Sequence, residues 1–245
     1  MAIQKKEGRA QHLLRFTLPE GVRIYPSDFR KSLAGTNQLR PEFFHYDPDT
    51  GHPVREGQNK SAIPGIRIVG GRTWVGVLAS PSCKDLLDQS IPTIIYTISG
   101  ICKKPVATEF SSYTFAIHAT QTPIRYRVRE MVIKKGAKKD MPEAERIALI
   151  KSRIQQAIYN QAKDHGMDCP TNEQLGVMIS KIERPRGLRI VSRNGETNQF
   201  AELVDVEFYV HAMLKGFWFA GNLTARGYGR IIQWFQDEIT TGEYL

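Results

Sequence analysis

The order of short apolar runs in the first 120 residues constrains the fold more than any other feature of this sequence. Gln11–Leu18 is short and mixed apolar and is closed by Pro19-Glu20-Gly21, which predicts a strand ending in a turn. Pro26 at a first-turn position, followed by Ser27 and Asp28, predicts a short helix reaching about Gly35. Residues 46–65 are polar and carry Pro48, Gly51, Pro53, Gly57, Pro64 and Gly65, the composition of a long loop or hairpin. Ile66–Val69 and Thr73–Leu78 flank Gly70-Gly71-Arg72 and read as a β-hairpin. Leu86, Leu87, Ile91, Ile94, Ile95 and Ile98 stand at helical spacing, so 83–98 reads as a helix that Pro92 is expected to kink or split. Val106–Ile117 then reads as a strand. The order is β-α-β-β-α-β, the split βαβ pattern of a ferredoxin-like domain.

Pro123 opens a second set of elements. Ile124–Lys135 alternates through Tyr126, Val128 and Val132 and reads as a strand edged by Arg125, Arg127 and Arg129. A helix follows, with Asp140 as its expected cap, Glu143 reaching back and Pro142 in the first turn. Ile147, Ile150, Ile154, Ala157 and Ile158 form its apolar stripe, and Gly166 ends it. Leu175–Ile182, Leu188–Ser192, Leu203–Met213 and Ile231–Phe235 supply further strand-like runs. The expected architecture is α+β with tandem domains at 1–120 and 121–245. A hydrophobic fraction of 41% is enough to build their cores and excludes a disordered chain. No stretch reaches the roughly 20 apolar residues of a membrane helix. The opening Met1–Glu7 is polar and does not read as a signal peptide. Cys83, Cys102 and Cys169 are odd in number and far apart, which argues against a disulfide framework or a cysteine zinc site. A reducing cytoplasm is the expected compartment.

Charge narrows the class of partner. The net charge is +9, and residues 121–195 alone hold 16 basic against 8 acidic side chains, whereas 196–245 hold 3 against 7. A concentrated cationic excess favours a polyanion, because each Lys or Arg that meets a phosphate releases condensed counterions.

The most specific local feature is Gly216–Arg230, which reads GFWFAGNLTARGYGR. Gly221, Gly227 and Gly229 permit positive φ and close backbone approach, and Arg226 and Arg230 place charge beside backbone amides that could follow a phosphate chain. The run lacks the Gly-Lys-Ser/Thr ending of a nucleotide-hydrolysing loop, and no helical pattern follows it.

A glycine-rich loop at 221–230, placed before a last strand in a basic tandem ferredoxin-like chain, resembles the RAMP superfamily of CRISPR-associated proteins, whose domains are also RRM-like. Arg23-Ile24-Tyr25-Pro26, then Arg129–Lys135 before a helical segment, then Gly216–Gly229, together resemble the type IV CRISPR RNA-processing endoribonucleases. The resemblance implies a helical finger inserted at about 136–170. It implies a metal-independent endoribonuclease without a cofactor, which cuts precursor CRISPR RNA within the repeat beside a hairpin. Such an enzyme stays on the crRNA hairpin within a type IV effector complex of backbone RAMP subunits and a large subunit, with no membrane partner. The rival within that family is a non-catalytic RAMP subunit that only holds guide RNA. A general RNA-binding protein without a CRISPR link is a third reading.

Metal-free RNA cleavage uses the substrate's 2′-hydroxyl and leaves a 2′,3′-cyclic phosphate and a 5′-hydroxyl. It needs alignment, a proton acceptor, a proton donor and positive charge on the transition state. His45, with Tyr46 after it, lies where the wider superfamily commonly places its catalytic histidine. The type IV members can rely instead on arginines, whose planar forks hold phosphate oxygens. Arg23 matches a family motif, and Arg30 and Arg40 flank the same predicted helix, so histidine and arginine both stand as candidates. His12, His118 and His211 fall in strand-like runs and read as structural; His165 closes a helix and His52 is on a loop. For RNA binding the finger offers Lys134, Lys135, Lys138, Lys139, Arg146 and Arg153, the last two seven apart on one helical face. Arg184, Arg186, Arg189 and Arg193, around Pro185 and Gly187, read as a hairpin arm. Tyr228 is a candidate for stacking on unpaired bases, and Trp218 reads as core.

Overall fold

A computed structural model describes residues 9–47, 63–134, 141–191 and 198–234. The chain divides into two compact units, Met1–Phe115 with Ala225–Gly227, and Ala116–Thr224 with Tyr228–Leu245. The first contains β1 (Arg9–Thr17), α1 (Pro26–Gly35), β2 (Ile66–Gly70), β3 (Trp74–Ala79), α2 (Lys84–Cys102) and the opening of β4 (Ala107–Ile133). Its strands run antiparallel in the order β2-β3-β1-β4, the ferredoxin-like arrangement. Alternate positions build the core: Leu14 and Phe16, Ile66 and Ile68, and Val75, Val77 and Ala79 meet Phe29 and Leu33 of α1 and Leu87, Ile94 and Ile98 of α2. Burying each such large side chain contributes about 1.5–3 kcal/mol.

α2 runs unbroken through Pro92 and on to Cys102, so the expected split does not occur. Leu87 and Ile94 on either side of the proline are fully buried. Their burial offsets the roughly 3 kcal/mol that an interior proline costs a helix. The hydroxyls of Ser90 and Thr97 donate to the carbonyls of Leu86 and Thr93 at 2.6 and 2.7 Å.

The second unit holds the rest of β4, then α3 (Glu143–Asp164), α4 (Asn172–Leu175), β5 (Met178–Val191), β6 (Asn198–Lys215), β7 (Trp218–Phe219) and β8 (Arg230–Gln233). β6 lies between β4 and β5, while β8 pairs with β4 and β7. Of the helical stripe read from the sequence, Ile150, Ile154 and Ile158 on α3 are fully buried and Ile147 and Ala157 half-buried, and Ala162 extends the buried face.

The strands expected at 106–117 and 124–135 are one strand, because Pro123, which has no N–H to give, falls where the β6 register shifts between Ala119 and Ile124. α3 is capped by Pro142 rather than Asp140, which lies outside the described residues. A reciprocal capping box forms instead at Thr171 and Gln174, so Leu175 closes a helix and does not open a strand. The two runs at 175–182 and 188–192 join in β5, and Pro185 sits where the register shifts between Glu183 and Arg186. Pro185 therefore marks a bulge within β5, Gly187 is paired with Glu202, and Arg184, Arg186 and Arg189 lie on a strand that pairs antiparallel with β6.

Candidate functional site

The candidate site grows from α1 and the turn that follows it. Pro26 fixes the first turn of α1, Phe29 and Leu33 bury its inner face, and Arg30 falls one turn after Pro26 on the same side. The chain then closes a 3-10 turn at Pro41–Phe44, whose Phe43 and Phe44 are buried with ring centroids 5.2 Å apart. Beyond it His45 takes the left-handed conformation, φ 61° and ψ 38°, with its N–H donating to the Glu42 carbonyl at 3.0 Å. The Tyr46 N–H donates to the Pro41 carbonyl at 3.0 Å. These bonds fix His45 and Tyr46 beside Arg30.

Arg30 ties helix to turn. Its Nη2 donates to the Phe44 carbonyl at 2.9 Å, and its guanidinium carbon lies 5.2 Å from the Phe44 ring centroid and 5.9 Å from that of Tyr46. Burial lowers its pKa, Tyr46 works in the opposite direction through its charge and a hydrogen bond, and nearby Arg226 adds to the lowering. A guanidinium remains protonated under such shifts, so the result is a half-buried cation facing a second cation. Arg40 is exposed and its Nη2 meets the Glu42 carboxylate at 2.6 Å. Arg23 is exposed on the segment entering α1.

The glycine-rich loop leaves β7 and returns on β8. The Ala220 N–H donates to the Gly229 carbonyl at 2.7 Å, that of Asn222 to Val132 at 2.7 Å and that of Gly229 to Arg129 at 3.1 Å. The amides expected to follow a phosphate chain thus include three that bond to the protein's own backbone. Gly229 has φ 73°, and a Cβ there would stand 1.9 Å from the Ala220 carbonyl oxygen. Gly221 approaches Val132 in the same manner. Ala225–Gly227 group with the first unit. Gly227, at φ 88°, leaves room for no Cβ, which would fall 2.7 Å from both the Ile68 carbonyl oxygen and Pro26 Cβ. Gly227 lies against Pro26, and Arg226 beside it is near enough to Arg30, one turn further along α1, to act on it electrostatically. Composition and spacing present these arginines separately; their nearness is visible only in the fold.

The other basic residues divide into groups. Arg125 Nη2 meets Glu207 at 2.6 Å, and Arg127 Nη2 meets Glu183 at 2.8 Å and Asp205 at 3.4 Å. Arg127 also lies 5.0 Å from the Trp234 ring centroid. Arg146 Nε meets the buried Glu202 at 3.0 Å. Arg186 pairs with Glu130 at 2.9 Å. Arg230 stacks 4.6 Å over Phe217. Arg129 is exposed, Lys134 and Arg153 half-buried. Lys135, Lys138, Lys139, Arg193 and His52 lie outside the described residues, as do the side chains of Arg184 and Arg189. Tyr228 packs against a cluster of Val132, Ala201 and Leu203. Trp218 is core, its Nε1 donating to the Lys215 carbonyl at 2.9 Å.

Sequence reading missed the acidic partners. They sit at 183–207: Glu207 stands opposite Arg127 in the β4–β6 register and diagonal to Arg125, while Glu202 of β6 meets Arg146 of α3. Sequence reading also missed Gln161 on α3. It is buried, its Nε2 donates to the Phe219 carbonyl at 2.7 Å, and its Oε1 accepts from the Phe219 N–H at 3.1 Å, pinning β7 at the root of the loop.

A family described as type IV CRISPR-associated endonuclease Csf5 matches residues 9–235 of the chain. Among solved structures, the chain is similar to one titled Csf5, CRISPR-Cas type IV Cas6 crRNA endonuclease. The two share 40% identity over 92% of this chain and 100% of that one, with a TM-score of 0.82. It is also similar to a Cas6b structure at 15% identity over 92% of this chain and 100% of the other, with a TM-score of 0.61. A further one, a CRISPR RNA processing endoribonuclease Cas6b, is 14% identical over 92% and 100%, with a TM-score of 0.54. The last two speak for the fold alone. No curated protein matches. Among the described residues no helix is long and apolar enough to cross a membrane.

Proposed function

The chain belongs to the family of type IV CRISPR-associated endonucleases, and from that membership we propose that it cleaves precursor CRISPR RNA within the repeat, beside the hairpin, without a metal ion. It then keeps the hairpin as a subunit of a type IV effector complex. The observation that carries this reading is the packing of Arg30 on Tyr46 and on the Phe44 carbonyl just before His45, with Arg226 near enough to act on it. Burial and the nearby Arg226 both disfavour the charge on Arg30, and Tyr46 favours it. Two like charges in a partly desolvated place are stabilised by an anion between them, and a phosphate fits planar guanidinium forks.

In the reaction the 2′-oxygen attacks the adjacent phosphorus as the bond from phosphorus to the 5′-oxygen breaks. The hydroxyl proton passes to a base and the leaving 5′-oxygen takes up a proton, leaving the cyclic phosphate and the 5′-hydroxyl. Arg30 and Arg226 hold the non-bridging oxygens and stabilise charge that grows in the transition state. Arg23 steers the backbone from the exposed side. His45 follows the Phe44 carbonyl that Arg30 meets and serves as the proton acceptor. An enzyme that retains its product needs few turnovers, so a modestly activated site suffices.

Incubating the pure chain with repeat RNA in excess EDTA tests the reading. The expected outcome is a single cut beside the hairpin and a cyclic phosphate at the new 3′ end. Intact RNA bound tightly would leave the non-catalytic subunit instead, and equal affinity for unrelated hairpins would leave a general RNA-binding protein.

A further inference from the structure

Resting on the reading just given, we infer that Tyr25 is the platform on which the unpaired nucleobase beside the hairpin stacks during cleavage. The ring is 61% exposed, although a tyrosine ordinarily buries most of its apolar face. Its neighbours explain why the exposure sits there. Arg23 is exposed, Ile24 is 8% exposed and Tyr25 is exposed again, the alternation of an extended segment, so the guanidinium of Arg23 and the ring of Tyr25 leave the protein on one side. Two residues of extended chain span about 6.6 Å, a distance that lets one side chain take a phosphate while the other meets the attached base.

The position of the ring is fixed from below. Tyr25 has φ −76° and ψ 143° as the residue entering α1, and its carbonyl accepts from the N–H groups of Asp28 and Phe29, each at 3.0 Å. Pro26 follows it and holds Gly227 of the loop against its own ring. Tyr25 therefore lies in sequence between Arg23 and Arg30, on backbone held by the first bonds of α1. Tyr96 is more exposed, at 77%, yet it lies on α2 beside Ile95, with no arginine near it in sequence, and is not part of this arrangement. A π-face stacks on any base, so the residue selects for an unpaired nucleotide rather than for a particular letter.

Two hairpin RNAs carrying 2-aminopurine in the unpaired nucleotide on the 5′ or the 3′ side of the stem provide the test. The 2′-hydroxyl at the cut is replaced by hydrogen so that binding is read without cleavage. Wild-type protein is expected to quench one of the two probes, Tyr25→Phe to quench it as well, and Tyr25→Leu to leave it bright. Tyr25→Leu is also expected to weaken the flanked hairpin roughly five- to hundredfold while binding the bare stem as the wild type does. Quenching by Tyr25→Leu, or equal weakening on the bare stem, overturns the inference alone. Failure of the wild-type chain to bind either hairpin overturns the underlying reading, and this inference with it.

Discussion

At the scale of single residues the proposed site rests on Arg30 and on Gly227, which seats the loop carrying Arg226 against Pro26. Arg30→Ala is expected to slow single-turnover cleavage on the order of a hundredfold, and Arg30→Lys to restore little, because an ammonium cannot form the bidentate fork. Rates of Arg30→Lys close to the wild type would show that charge alone is needed there. Gly227→Ala combines a positive φ with contact on Ile68 and Pro26. It is expected to cost about 1–3 kcal/mol in urea denaturation. Gly35, in the last turn of α1, has no positive φ, and a methyl group there would meet nothing within 4 Å, so Gly35→Ala is expected to be neutral or stabilising. Equal losses for the two substitutions would remove the special role of Gly227.

Among the elements, α3 acts on the loop through Gln161. Replacing it with leucine leaves both the N–H and the carbonyl of Phe219 without these partners inside the second unit. The expected cost is about 1–3 kcal/mol of stability, read from the denaturation midpoint. A midpoint within error of the wild type would mean that water or another group takes over the bonds. Elements specified by neighbours in sequence were legible beforehand: Pro26 and the Phe29 and Leu33 spacing give α1, and the glycine pair gives the hairpin of β2 and β3. Those decided by distant partners were not. Pro123 reads as a boundary because a proline ends most strands, yet pairing with β6 on both sides carries β4 past it. Gln161 reads as one more polar residue of a helix, since its partner lies 58 positions away. Within the site, Arg23, Arg30, His45 and Tyr46 could be named from motif and position, but the nearness of Arg226 to Arg30 goes with the seating of Gly227 on Pro26.

For the whole molecule, the lopsided charge of the sequence is partly neutralised by folding. The basic segment and the acidic one after it pair strand to strand, so Arg125 and Arg127 face Glu207 and Asp205 rather than solvent. Arg127→Met is therefore expected to lose about 1–3 kcal/mol of stability, because Glu183 and Asp205 each lose a charged hydrogen-bond donor, and to leave the salt dependence of hairpin binding unchanged. Arg226→Gln is expected to do the opposite, flattening the slope of log affinity against log salt by roughly 0.7–0.9. A flatter slope for Arg127→Met would return that residue to the RNA-facing set. The grouping of Ala225–Gly227 with Met1–Phe115 has a consequence for biosynthesis. On the ribosome the first unit emerges lacking one of its arginines, and receives it only after the whole intervening domain has been translated. Nascent or prematurely terminated polypeptides would carry Arg30 without Arg226, and so would leave transcripts uncut until synthesis had passed that point.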